Sequence, residues 1–132
     1  MTELPDAERD RFDALLEGVI ASLPEAVSSR LAAVPLIVED YPDPRLLREM
    51  GLPDDEPLCG LHSGHMLTEQ SVEDAYRFPE EIYLYRAGII EIAGGWVSGE
   101  AEVVREIRIT LLHELGHHFG LDEDDLEALG YD

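Results

Sequence analysis

"VVREIRITLLHELGHHFG", Val103–Gly120, decides the fold class. Val103, Val104, Ile107, Leu111, Leu112, Leu115 and Phe119 recur at the spacing of a helix with one apolar side. The spacing predicts a helix from about Gly99 to Phe119. Ser98 is suited to cap its start, and Glu100 and Glu102 suit its positive end. Gly120 stops it. Roughly opposite the apolar arc lie His113 and His117, beside Thr110 and Glu106. At roughly 100° per residue the two histidines are about 40° apart and one turn along the axis. One face of the helix is expected to pack on a core and the other to face a cleft.

His113, Glu114 and His117 form a His-Glu-x-x-His pattern. On a helix that pattern offers two imidazoles to one metal ion from the same side. Zinc takes imidazole nitrogens at ~2.0–2.1 Å, and a catalytic zinc takes three protein ligands and a water made more acidic by the ion. Glu114, next to His113, is expected to address that water and not the metal. Its role would be general base, then proton donor to a leaving amine. Gly116 lets another backbone or a substrate come close between the histidines. The competing reading is a pair of surface histidines on an acidic helix. The apolar face opposite and the glycine that follows favour the metal.

Fifteen residues follow His117, which leaves little room for a third ligand on a distant helix of the thermolysin-like kind. The register His113, Glu114, His117, Gly120, Glu123 is similar to the metzincin pattern, in which a glycine turns the chain back to the metal. Glu123 is therefore the first candidate for third ligand, with Asp122, Asp124 and Asp125 as alternatives. A carboxylate there makes the site less positive than a third histidine would, and less acidifying toward the water. The metzincin likeness stops at the motif. Met1, Met50 and Met66 all precede it, whereas a Met-turn follows it.

Over nearly its full length the chain resembles the minimal zincins, a small bacterial zincin-like family. The resemblance rests on "TLLHELGHHFGLDEDDLEALGY", supported by "LIVEDYPDP", "CGLHSG" and "IYLYR". It implies a compact α+β zincin-like domain over residues 1–132, with a small mixed sheet packed on the His-Glu-x-x-His helix. It also implies zinc as cofactor and a zinc-dependent peptidase acting on a peptide or protein substrate. The family usually carries aspartate where Glu123 stands.

The rest of the chain fits one α+β domain with few strands. Phe12, Leu15, Leu16, Val19, Ile20 and Leu23 form a helical stripe that Pro24 closes. "PEAVSSRLAA" predicts a short helix with Val27 and Leu31 inward. "VPLIVEDYPDP" predicts a strand with a hard stop, and "RLLREMGLPDDEP" a helical turn or two before a polar loop. "LCGLHSGHML" reads as a strand leading into a loop, and "LTEQSVEDAYRFP" as loop. "EEIYLYR" predicts a strand, which "AGIIEIA" either continues or leaves for a helix. "DEDDLEALG" predicts a short final helix.

A formal charge of −21 repels phosphates, which excludes nucleic acid and anionic membrane surfaces as partners. With Glu114, it also disfavours an RNA hydrolase. No apolar run approaches the ~20 residues of a membrane span, and "MTELPDAERDRF" lacks the apolar core of a signal peptide. A cytoplasmic protein is expected. Cys59 is alone, so no internal disulfide forms, and a buried thiol is expected.

Other residues carry weaker readings. His118 falls in the apolar arc and reads as packed. His62 and His65 read as solvated loop histidines before a second metal site. "IYLYR" is either an edge strand on which an extended peptide pairs, or an ordinary strand with two half-buried tyrosines. Tyr131 either donates to an oxyanion or packs on the last helix. Trp96 reads as a core or hinge anchor. A proteolytically silent metal-binding or interaction module on the same fold is the alternative to the peptidase.

Overall fold

The computed structural model of the protein describes residues 3–53, 55–63 and 81–118. Helix α1 (Asp6–Ser22) opens with Asp6 and Glu8 at its positive end. Phe12, Leu16 and Val19 form its buried stripe. Leu23 is extended, as a residue before proline tends to be, so the chain turns before α2 (Glu25–Leu31), which buries Val27 and Leu31. Strand β1 (Leu36–Glu39) leads to α3 (Pro44–Glu49). Asp43 caps α3 by accepting from the Arg45 N–H at 2.9 Å, with Pro44 at the first helical position. Strands β2 (Gly60–Ser63) and β3 (Glu81–Tyr85) follow. β3 passes directly into α4 (Arg86–Ile92), which settles "AGIIEIA" as a helix. A 3-10 turn (Trp96–Ser98) precedes α5 (Glu100–His118), the long helix read from the motif.

The sheet is mixed, in the order β1-β3-β2. β1 pairs parallel to β3 with Leu36 opposite Ile82 and Val38 opposite Leu84. β2 pairs antiparallel to β3 with Gly60 opposite Leu84 and Leu61 opposite Tyr83. "IYLYR" is therefore the central strand and not an edge. Of the two readings of it, the edge strand is overturned and the ordinary strand stands: alternation reports which faces are buried, not how many neighbours a strand has. Its side chains divide by face as alternation requires. Ile82 and Leu84 are fully buried in the main core. Tyr83 and Tyr85 stack on the other face with ring centroids 6.3 Å apart.

The main core joins Phe12, Leu16 and Val19 of α1, Ile82 and Leu84 of β3, Ile89 of α4, and Val103, Ile107, Leu111, Leu112 and Leu115 of α5. Burying each such side chain contributes about 1.5–3 kcal/mol. The apolar arc of α5 thus packs inward as expected. At the start of α4, Arg86 pairs with Asp13 of α1 through Nε at 2.8 Å and Nη2 at 3.0 Å. Its Nη1 bonds Asp40, just past β1, at 2.9 Å. One planar cation thereby ties α1, β1 and α4 together. Trp96 is an anchor, as expected: its indole N–H donates to Glu8 at 3.0 Å, and the Arg11 guanidinium lies 4.1 Å from its ring centroid.

Among the described residues, no helix is long and apolar enough to cross a membrane. The loop expected over "LTEQSVEDAYRFP" and the final helix expected over "DEDDLEALG" lie outside the described residues.

Candidate functional site

α5 carries both His113 and His117 within one unbroken helix, four residues and one turn apart. His113 and Glu114 are half-buried, flanked by the buried Leu112 and Leu115 that hold the helix to the core. The side chains of His117 and His118 lie outside the described residues, and only their helical backbone is placed. Gly116 is buried in the same turn. Gly120, Glu123, Asp122, Asp124, Asp125, Tyr131 and His65 all lie outside the described residues, as does the side chain of His62. Among the described residues, no three His, Cys, Asp or Glu side chains converge as a metal cage.

The motif face of α5 is not open along its length. Thr110 is only 7% exposed, and β2 lies across it. The contact is backbone to side chain. A Cβ on Gly60 would come 2.7 Å from Thr110 Cγ2, 3.2 Å from Glu114 Cγ and 3.1 Å from the Tyr83 carbonyl oxygen. Glycine is required there because nothing larger fits between the strand and the two helix side chains. A second close approach fixes the same strand from upstream. A Cβ on Gly88 of α4 would lie 2.1 Å from the Leu58 carbonyl oxygen. The Tyr85 N–H donates to the Cys59 carbonyl at 2.8 Å, so the entry to β2 is held from both sides. The strand expected at the start of "LCGLHSGHML" is β2, but its close approach to the helix is not part of that reading. A glycine inside a strand is the signal of close backbone approach, although it does not name the partner.

Cys59 reports the electrostatics beside the motif. It is half-buried, and its thiol is pushed up to about 11. Burial is the largest cause, followed by the negative charge of Glu106. A hydrogen bond with Thr110 opposes the shift, and Glu114 and Glu91 add to it. The space between β2 and α5 is therefore negative, which suits a divalent cation and disfavours a second anion. Imidazole at His113, with a second histidine one turn further, is the donor type that zinc takes. The described donors fit that ion as far as they go.

β2 is also the strand whose second edge is unpaired in the described sheet. It runs beside Glu114, a place where an extended chain can add backbone hydrogen bonds.

A family model described as "Zincin-like metallopeptidase" matches residues 31–131. That span takes in β1, the whole sheet, α4 and the motif helix. No curated protein matches the chain.

Proposed function

Because the chain belongs to the zincin-like metallopeptidase family, we propose that it is a zinc-dependent peptidase with His113 and His117 as metal ligands and Glu114 as general base. Glu123 is the proposed third ligand, with Asp122, Asp124 and Asp125 as alternatives. The observation that carries the reading is the packing of Gly60 against Thr110 and Glu114, which sets β2, whose second edge is unpaired among the described strands, beside the proposed base.

Bound zinc would supply an acidified water and a polarised scissile carbonyl. An extended peptide adds to β2 as a further strand, which holds its backbone parallel to the cleft. Glu114 accepts the water's proton as the oxygen attacks, then delivers it to the departing amine nitrogen. Gly60 packs against Thr110 and against the Cγ of Glu114. Burial of Leu111, Leu112 and Leu115 fixes the helix that presents all three motif residues. The family match and the helical spacing support the ligand roles. The negative field at Cys59 supports a cation in the cleft.

The test is a zinc assay joined to a peptide-library digest read by mass spectrometry. Expected are one zinc per chain, loss of most of that zinc in His113→Ala and His117→Ala, and cleavage products from the parent. Stoichiometric zinc with an intact library would instead assign the site a binding role. Absence of zinc in the parent would overturn the metal reading.

A further inference from the structure

A cavity of about 420 Å³ opens between α3, α4 and the segment that enters β2. Among the described residues, none that line it belongs to α5. Its volume falls within the range of small-ligand and side-chain pockets. Leu47, fully buried in α3, lines it together with Leu58 and Ala87, so part of its wall is apolar. Tyr41, an exposed residue, also lines it. Three exposed carboxylates, Asp55, Glu56 and Glu91, share the same lining, and among the described lining residues there is no arginine.

We infer that this cavity is a docking site for an arginine side chain presented by a partner protein, next to an apolar residue. The lining asks for both halves of that side chain. A long aliphatic stem covers Leu58 and Ala87, while the charged head stays at the carboxylate rim. A planar guanidinium pairs with carboxylates through two parallel hydrogen bonds and stacks on a phenol ring, which the compact ammonium of lysine does not reproduce. Phosphates and other anions are repelled by the rim. A second copy of this chain is disfavoured because each copy carries a formal charge of −21. The charge of the whole chain also raises the encounter rate with basic partners. The site does not depend on whether the protein cuts peptides.

The experiment separates the cavity from the general negative field. Binding of a fluorescein-labelled Gly-Ser-Leu-Arg-Leu-Arg-Ser-Gly peptide is followed by anisotropy at 150 mM salt. Three variants are compared with the parent: Asp55→Asn/Glu56→Gln/Glu91→Gln, Ala87→Leu, and Glu17→Gln/Glu25→Gln/Glu102→Gln. The first removes the rim charges. The second fills the cavity at constant charge. The third removes three exposed carboxylates elsewhere. The expected result is a Kd raised at least tenfold by each cavity variant and changed less than twofold by the third. The two cavity variants act independently, so either one that keeps its circular dichroism decides the matter. No binding by the parent overturns the proposal. So does a third variant that weakens binding as much as the first, or an Ala87→Leu protein that binds like the parent.

Discussion

Gly60 and Glu114 touch: a Cβ on the glycine would sit 3.2 Å from the glutamate Cγ and 2.7 Å from Thr110 Cγ2. The proposed base and β2 are therefore one packed unit. Gly60→Ala should cost about 1–3 kcal/mol of stability, the usual range for overpacking. Thr110→Ser removes the methyl group in the closest contact, so the double variant should recover part of that loss. Urea titration of the four proteins checks this. A Gly60→Ala protein as stable as the parent would contradict the packing.

Gly88 offers a sharper sign test. In an ordinary helix interior, Gly→Ala gains about 0.5–1 kcal/mol. Here the new methyl would meet the Leu58 carbonyl oxygen at 2.1 Å and its carbon at 2.6 Å, and both are backbone atoms. Gly88→Ala should therefore lower the urea midpoint. A raised midpoint would show that β2 does not enter across α4.

Arg86 is 13% exposed and Asp40 is 8% exposed in their side chains. Arg86→Met strands the Asp40 carboxylate with its strongest partner gone. Loss of one partner of a buried pair costs about 3–5 kcal/mol, and the half-exposed Asp13 places this case near the lower end. Guanidinium denaturation reads the difference. A loss below about 1 kcal/mol would mean the network holds nothing together.

Cys59 sets an alkaline limit. Its folded value of about 11 lies above its ordinary value of 9.0. Between those values the folded protein holds a proton that the unfolded chain releases. Stability from this group is full below pH 9 and falls as pH rises toward 11. Tyr85, pushed up by burial and by Glu39, acts in the same direction. The thermal midpoint should fall from pH 8.5 to 10.5, and less so in Cys59→Ala. Thiol alkylation at pH 7.5 should be slower than for free cysteine. A rate equal to free cysteine would contradict the raised thiol.

Much of this arrangement is legible in the residues. The apolar arc from Val103 to Leu115 marks α5, and the stripe from Phe12 to Val19 marks α1, because both follow from helical periodicity alone. A β-branched run marks β1, and the alternation of Ile82 and Leu84 with Tyr83 and Tyr85 marks β3. Strand order is not legible, since Ile82 and Leu84 would be buried at a sheet centre or at a covered edge. Thr110 reads as a cleft residue by its angle on the helix, yet β2 covers it. That contact joins residues fifty positions apart. Arg86 gives no local sign of its role, because Asp13 and Asp40 reach it through the fold. Of the candidate site, the spacing of His113, Glu114 and His117 is local and was readable. The third ligand depends on tertiary placement of residues 122–125.

The central claim is that Glu114 moves the proton in a zinc-assisted hydrolysis. It is tested most directly by the peptide cleavage rate of zinc-loaded Glu114→Gln against the parent at equal metal content. Loss of a positioned general base predicts a fall of about 10²–10⁴-fold with zinc retained. A variant that cleaves as fast as the parent would contradict the account.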